Sequence, residues 1–98
     1  MIRSVVFRSE ARREFDEAAD WYESNQKGLG KAFTEAIQDL LRSACSNPHR
    51  HPRVFEDLHE GLVHRFPYCV YYCITNGHIV VIVVFHAARD PIVWQSRV

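Results

Sequence analysis

The sequence predicts a small α+β domain in which an antiparallel two-helix hairpin packs on one face of a mainly antiparallel sheet of four to five strands. Two stretches in the first half repeat apolar residues at helical spacing, and a short polar loop around Gly28 separates them. The second half alternates β-branched and aromatic runs with turn residues. With 98 residues the chain has the length of one domain, so we assign residues 1–98 to it.

A long apolar run begins at Ile79 and is β-branched at six successive positions, residues 79–84. It is too short to cross a bilayer and is typical of a strand that is apolar on both faces. We therefore expect a central strand that ends at His86. Arg89 and Asp90 follow closely, and Pro91 cannot donate a ladder hydrogen bond. The strand thus delivers ionisable groups to its own end.

The first half predicts a short strand at residues 2–8 and then two helices. Ser9 is the expected N-cap of a helix that runs from Glu10 to about Ser24. Its apolar residues recur at helical spacing, namely Ala11, Phe15, Ala18 and Tyr22. Its remaining faces form an acidic outer side that carries Glu14, Asp16, Glu17, Asp20 and Glu23. The second helix starts near Leu29 and ends before Pro48.

Residues 47–52 contain two prolines and two histidines, and they predict an exposed connector. The spacing of His49 and His51 could chelate a metal. A metal site needs a full ligand set, however, and His59 and His64 stand at no convincing spacing. We therefore predict no metal site and no cofactor.

The later strands are expected at residues 53–55, 62–66, 68–75 and 78–86, with a turn around Glu60-Gly61. Asn76-Gly77 is a strong hairpin signal, because both positions of a two-residue turn need positive φ. Counting outward from this turn predicts the facing pairs on one side of the sheet: Ile74 with Ile79, Tyr72 with Val81, Val70 with Val83, and Tyr68 with Phe85. The other side is predicted to end near His86 and to pair Cys73 with Val80, Tyr71 with Ile82, and Cys69 with Val84.

Both faces of this sheet are largely apolar, but a layer of two helices can cover only one. We expect the opposite face to be shielded by the curl of the sheet, by a partner chain or by a ligand.

Composition limits the classes of function. Lys plus Arg and Asp plus Glu both number 12, so no global basic field attracts nucleic acid. Three cysteines fit a reducing compartment, and we expect them to be small apolar residues. The sequence shows no signal peptide and no membrane span, so we expect a cytoplasmic protein without a membrane partner.

Several short motifs occur in a characteristic order along nearly the whole chain. They are Trp21-Tyr22-Glu23, Gly28-Leu29-Gly30, Phe33, Pro48 and Pro52, Arg65-Phe66-Pro67-Tyr68, Tyr71-Tyr72, the run from Val84 to Pro91, and Trp94. Together they resemble the RelE/ParE family of type II toxin-antitoxin toxins. The resemblance implies the same architecture and a hetero-oligomer with a cognate antitoxin, whose C-terminal segment wraps the toxin and covers its apolar surface.

The resemblance implies one of two activities. One branch of the family consists of ribosome-dependent endonucleases that cut messenger RNA, and the other poisons DNA gyrase without being a nuclease. RNA cleavage needs a proton acceptor, a proton donor and cations at the phosphate. If the chain is a nuclease, its catalytic residues would be Arg65, His86 and Arg89, with Tyr68 or Tyr71 as stacking or donor groups.

This sequence departs from the nuclease pattern. That branch typically has an arginine near the position of Cys69 and basic residues where Ala87 and Ala88 stand, and the second half of this chain has no lysine. A nuclease working inside the ribosome needs dense phosphate contacts. We therefore favour the gyrase-poison branch, with a chain that is not itself an enzyme. The ribosome with its messenger RNA remains an alternative target, and a decayed toxin that only binds antitoxin is a third. The residues expected to contact a target or partner are Tyr68, Tyr71, Asp90, Trp94 and Arg97.

Overall fold

A computed structural model of the chain describes residues 4–88 and 92–97. Within this part of the chain, five strands form one sheet, on which two long helices pack, and a short helix follows. In chain order the elements are β1 (Ser4–Phe7), α1 (Ser9–Asn25), α2 (Leu29–Ser46), β2 (Arg53–Phe55), β3 (Leu58–Leu62), β4 (Tyr68–Thr75), β5 (His78–His86) and α3 (Ile92–Gln95). The predicted fold class is confirmed.

The first helix begins one residue earlier than its expected cap implies. Arg8, and not Ser9, is the N-cap of α1, with φ −66° and ψ 152° and no side-chain capping bond. The N–H of Arg8 donates to the carbonyl of Val81 (3.0 Å), which keeps Arg8 extended alongside β5. The helix can therefore start only at Ser9.

The second helix receives its cap from the first. Gly28, the N-cap of α2, has a φ of 89°, a conformation that glycine adopts without strain. The carboxylate of Glu23 accepts the N–H of Gly28 (3.0 Å) and the N–H of Gly30 (3.0 Å). A negative charge at a helix N-terminus is stabilising, because the first N–H groups have no partner inside the helix.

The two long helices approach each other closely at Gly30. A Cβ at this position would lie 2.6 Å from the carbonyl oxygen of Ala19 and 2.9 Å from the Cβ of Glu23. We expect Gly30→Ala to lower the free energy of unfolding by about 2 kcal/mol, because the helices must separate to admit a methyl group. Urea denaturation measures this loss. Lys31→Ala, at an exposed neighbouring position, should change stability by less than about 0.5 kcal/mol, and equal losses would contradict the tight helix contact.

The third strand corrects the sequence prediction. Residues 58–62 form β3, so the turn expected at Glu60-Gly61 and the strand expected at residues 62–66 are wrong. The chain turns earlier, at Glu56, which has a φ of 49°. Gly61 lies inside the strand, and a Cβ there would come within 2.8 Å of the Leu40 side chain on α2. The glycine therefore serves close packing between strand and helix.

The strand order of the sheet is β1-β5-β4-β3-β2. β1 runs parallel to β5, and the other neighbours are antiparallel. The predicted hairpin turn between β4 and β5 is confirmed, since Asn76 and Gly77 have φ values of 50° and 78°. Near this turn the predicted register also holds.

A β-bulge in β5 shifts the register farther from the turn. Tyr72 faces Val81 as predicted, but Tyr71 faces Val83, so Ile82 is an extra residue on the β5 side. Beyond the bulge, the predicted pairs of Val70 with Val83, Tyr68 with Phe85, Tyr71 with Ile82 and Cys69 with Val84 are wrong. The observed pairs are Val70 with Val84, Cys69 with Phe85, and Tyr68 with His86. A bulge leaves one residue unpaired and changes the side to which the following side chains point.

The sheet carries a buried cluster on each face. The larger cluster joins the long helices to Val70, Tyr72, Ile79, Val81 and Val84. The smaller cluster contains Leu58, Cys69, Tyr71, Ile82, Val83 and Phe85. Val83 is 0% exposed and Phe85 is 2% exposed in the isolated chain. The core of the second face is thus covered without a partner chain or ligand.

Candidate functional site

The bulge determines where His86 lies. The sequence analysis placed His86 at the end of the side of the sheet that carries Tyr71. In the structure the extra residue Ile82 puts Val84 in the helix-side cluster, and His86, two residues later, lies against Tyr68. The prediction that the side of the sheet carrying Tyr71 ends near His86 is therefore wrong.

An open depression with a volume of ≈ 230 Å³ lies at the end of β5. Its walls come from α1, from the start of β4 and from the end of β5: Glu14, Glu17, Ala18, Trp21, Tyr68, Val84 and His86. Two carboxylates and three aromatic rings are thus brought together. Trp21 is 60% exposed, so the rim of this depression offers a large apolar surface to a partner.

The orientation of the His86 ring is fixed by its neighbours. The Tyr68 ring packs edge-on against it, with centroids 5.1 Å apart and an interplanar angle of 77°. The Nδ1 atom accepts a hydrogen bond from the backbone N–H of Ala88 (3.1 Å). Because Nδ1 acts as an acceptor, this network assigns the proton of the neutral ring to Nε2. His86 therefore presents a donor at Nε2.

Tyr68 is held in place by an aromatic cluster beneath the helices. The Phe33 ring lies 5.1 Å from Tyr68, and Tyr22 lies 6.1 Å from it. Phe33 also contacts Phe66 at 5.2 Å. Burial raises the pKa of Tyr22, and the neighbouring Tyr68 raises it further. These rings connect the helical hairpin to the residue against which His86 packs.

Glu14, which lines the depression, belongs to a partly buried ion pair. The guanidinium of Arg97 donates to both carboxylate oxygens of Glu14, at 2.9 and 2.8 Å. The side chains are only 19% and 15% exposed. These hydrogen bonds raise the pKa of Arg97. The C-terminal segment, through Arg97, is thereby joined to α1.

The same ion pair provides hydrogen-bond partners for backbone groups at one edge of β5. β1 ends at Phe7, which pairs with Val81 of β5. After Val81, no strand of the described residues lies beside this edge of β5, and side chains bond its backbone instead. Glu14 accepts the N–H of Val84 (3.2 Å), and Arg97 donates to the carbonyl of Ile82 (3.4 Å). Two side chains thus bond backbone groups as a neighbouring strand would.

Sequence analysis did not identify Glu14 as a site residue and placed it on an acidic outer side. That placement is wrong, because Glu14 is partly buried. The spacing contained the signal: Glu14 lies three residues after Ala11 and four before Ala18, and both alanines are buried. A carboxylate on the buried face of a helix needs a partner, and Arg97 supplies it.

The other residues expected to be functional lie elsewhere. Arg65 stands in an exposed turn with a φ of 72° and lines a different depression, beside His64, Phe66 and residues of α2. Tyr71 belongs to the opposite face, where its hydroxyl donates to Glu60 (2.6 Å). Burial raises the pKa of Tyr71, and this hydrogen bond raises it further. The structure therefore does not bring Arg65 or Tyr71 to the depression at His86.

Part of the expected site falls outside the described residues. Arg89 and Asp90 are not among them, and Trp94 belongs to α3 while its side chain is likewise outside the description. Among the residues that are described, no group of three or more His, Cys, Asp or Glu side chains could hold a metal ion. None of the described helices has the length and apolarity needed to cross a membrane.

Comparison with known proteins identifies the family. The sequence model of a family described as the ParE toxin of type II toxin-antitoxin system, parDE, matches residues 5–91. No curated protein sequence matches the chain. Among solved structures, the chain is similar to one described as the chromosomal ParDE TA system from P. aeruginosa, with a TM-score of 0.73 and 11% identity over 87% of this chain and 96% of that chain.

A second solved structure with a similar fold is the isolated E. coli RelE toxin. The TM-score is 0.62 and the identity is 18%, over 94% of this chain and 92% of that chain. At such identities the two structures show the fold, whereas the family follows from the sequence match, which spans most of the chain. The chain belongs to the ParE toxin family of type II toxin-antitoxin systems.

Proposed function

We propose that the chain inhibits bacterial growth as a ParE-like poison of DNA gyrase and is neutralised by a cognate antitoxin. In this proposal the protein acts by binding and is not itself an enzyme. The depression at His86, with Trp21 and Tyr68 on its walls, is the proposed contact with the target. The C-terminal residues Asp90 and Trp94 are proposed to extend this contact.

The observation that carries the proposal is the charge of the depression. Cleavage of RNA places growing negative charge on a phosphate, which needs cations nearby. Here the described lining carries Glu14 and Glu17 and contains no lysine or arginine. The adjacent Arg97 is neutralised by Glu14, and Arg65 lines a different depression. Such a lining repels a phosphate backbone and favours a protein surface.

One observation supports the ribosome-dependent endonuclease as a second candidate. The ring of His86 is fixed against Tyr68 and presents a donor at Nε2. A positioned histidine donor is what protonation of a leaving oxygen needs. The two candidates differ sharply in how much they require this ring.

The antitoxin is proposed to cover apolar side chains that stay exposed. Leu62 is 71% exposed at the end of β3, Trp21 is 60% exposed on α1, and Ile92 is 64% exposed in α3. Residues of this size are the usual anchors of a protein interface when they lie in one patch. Trp21 also lies on the rim of the depression at His86, so antitoxin and target are proposed to compete there.

A single substitution separates the candidates. We expect the purified chain to inhibit supercoiling by gyrase and to accumulate cleaved DNA, while a cell-free translation reaction continues. His86→Ala should weaken gyrase inhibition by no more than about tenfold, the effect of one lost contact at an interface. Loss of a catalytic acid or base would instead reduce activity by about a hundredfold or more.

The outcomes are distinct. Translation arrest with cut messenger RNA, abolished by His86→Ala, would overturn the gyrase proposal and support the endonuclease. A folded protein that binds antitoxin but affects neither assay would identify a toxin that has lost its activity. His78→Ala serves as the matched control, because His78 lies at the opposite end of β5 and the hydrogen bond described for its side chain is to Ser4.

A further inference from the structure

Residues 47–52, which connect α2 to β2, are tied to the sheet by polar contacts from two strands. The Tyr72 hydroxyl donates to the carbonyl of Pro48 (2.9 Å). The Nδ1 atom of His59 donates to the carbonyl of His51 (2.7 Å), and the N–H of Glu60 donates to the carbonyl of Pro52 (2.9 Å). The connector, predicted to be an exposed loop, is therefore anchored.

Two histidine rings pack on the side chain of Tyr72 at this anchor, and a third packs on one of them. The His59 ring stacks on the Tyr72 ring at 5.2 Å with an interplanar angle of 10°. The His51 ring meets the same ring edge-on at 6.0 Å, and His49 lies 5.9 Å from His59. Tyr72 is 0% exposed and His59 is 4% exposed. Imidazole rings thus form part of the packing between the connector and the sheet.

The surroundings of the His51 ring disfavour a bound proton. Its Nε2 atom is buried and has no hydrogen-bond partner among the described residues. A protonated ring would place an N–H with no acceptor, and a positive charge, at that point. Burial lowers the pKa of His51, and the charges of Arg50 and His59 lower it further.

The other groups packed around His51 do not offset this effect. Tyr72 stays neutral, because burial raises its pKa to about 12, with a smaller contribution from Cys45 on α2. Asp57, which lines an adjacent depression with His49 and His59, lies 3.8 Å from the guanidinium of Arg53. The one nearby carboxylate of that depression thus already has a cationic partner.

We propose that His51, His59 and Tyr72 form an acid-sensitive latch that holds residues 47–52 and β2 on the sheet, and that protonation of His51 opens it. Opening would free the β2 end of the sheet while the helices and the central strands stay folded. This device is independent of the toxin's target and would make the shape of one sheet edge depend on pH.

The sign of the pH dependence follows from the lowered pKa. Above the ordinary histidine value of about 6.5, His51 is neutral in both the latched and the open state, and the latch is fully stable. As the pH falls below that value, the open state binds a proton before the latched state does. Stability of the latch is therefore lost as the pH falls from about 6.5 through the lowered pKa of His51. Carboxylates titrate lower, mostly below about pH 5.

Hydrogen exchange of the full chain tests the latch. The amide of Glu60 reports on it directly, because its N–H bonds to Pro52. We expect its protection factor to fall between about pH 6.5 and about pH 5 by up to about tenfold per pH unit, while the amides of β5 keep theirs. His51→Gln should remove this pH dependence. His64→Gln, which changes an exposed histidine in a turn, should leave it as in the wild type.

A second variant keeps the test decisive if His51→Gln does not fold. Arg50 is exposed, and its charge is one cause of the lowered pKa of His51. Arg50→Gln should therefore reduce the acid-induced loss of protection at Glu60 without abolishing it. The proposal is overturned if the protection factor of Glu60 is constant over this pH range. It is equally overturned if His51→Gln folds and keeps the wild-type pH dependence.

Discussion

Phe33→Ala is expected to lower the free energy of unfolding by about 4 kcal/mol, a large fraction of the stability of a domain of this size. Phe33 is 0% exposed. Its ring contacts four other rings, at centroid distances of 6.1 Å to Phe15, 5.1 Å to Tyr22, 5.2 Å to Phe66 and 5.1 Å to Tyr68. Alanine would leave a cavity between the helical hairpin and the sheet, and these rings could fill it only in part. Urea denaturation at neutral pH measures the loss.

A matched control for this truncation is Phe55→Ala. Phe55 is the same residue type but is 36% exposed on the edge strand β2. Its replacement should cost less than about 1.5 kcal/mol, because less apolar surface returns to water. If both variants lost the same stability, the aromatic cluster would not be the centre of the core.

A milder substitution of Phe33 should also affect the depression at His86. Phe33 packs against Tyr68, and Tyr68 packs against His86. Phe33→Leu keeps most of the side-chain volume and should cost about 1.5 kcal/mol, so the protein stays folded. Weaker toxicity in this folded variant would indicate that the cluster positions the functional residues as well as stabilising the fold.

Glu14→Ala is expected to lower the free energy of unfolding by about 3 kcal/mol, because it leaves a partly buried Arg97 without its partner. The carboxylate accepts two hydrogen bonds from Arg97 and one from the backbone of Val84. Removing it exposes a strand edge as well as breaking an ion pair. Urea denaturation measures this loss as a lower unfolding midpoint.

Glu17→Ala is the control on the same helix. Glu17 forms an ion pair with Arg13 at 3.6 Å, but both side chains are about 70% exposed, at 71% and 68%. Such a pair contributes less than about 1 kcal/mol. A double-mutant cycle tests the pair of Glu14 and Arg97 itself. The stability lost by combining Glu14→Ala with Arg97→Ala should be smaller than the sum of the two single losses. Additive losses would indicate that Glu14 and Arg97 act independently.

The sequence by itself determined the local structure of most of the chain. Helical spacing identified both long helices and their apolar faces, and the β-branched run identified β5. The Asn76-Gly77 pair determined the hairpin and its register near the turn. These signals are readable because each one depends on residues that are close together in sequence.

Two features depended on contacts between residues that are distant in sequence. Gly61 resembled a turn residue, yet it lies in a strand, where the missing side chain leaves room for Leu40 of α2. Glu14 resembled a surface carboxylate, yet it pairs with Arg97 from the other end of the chain. Spacing alone can place Glu14 on the buried face of its helix, but it cannot identify the partner.

The bulge at Ile82 had the largest consequence for the site. A run of six β-branched residues is apolar on both faces, so no alternation of polar and apolar residues marks the position of an extra residue. The sequence therefore determined that β5 would end in a histidine. Only the packing of the helices and strands against both faces of the sheet decided that this histidine lies beside Tyr68 and α1, because a one-residue shift moves every later side chain to the other face.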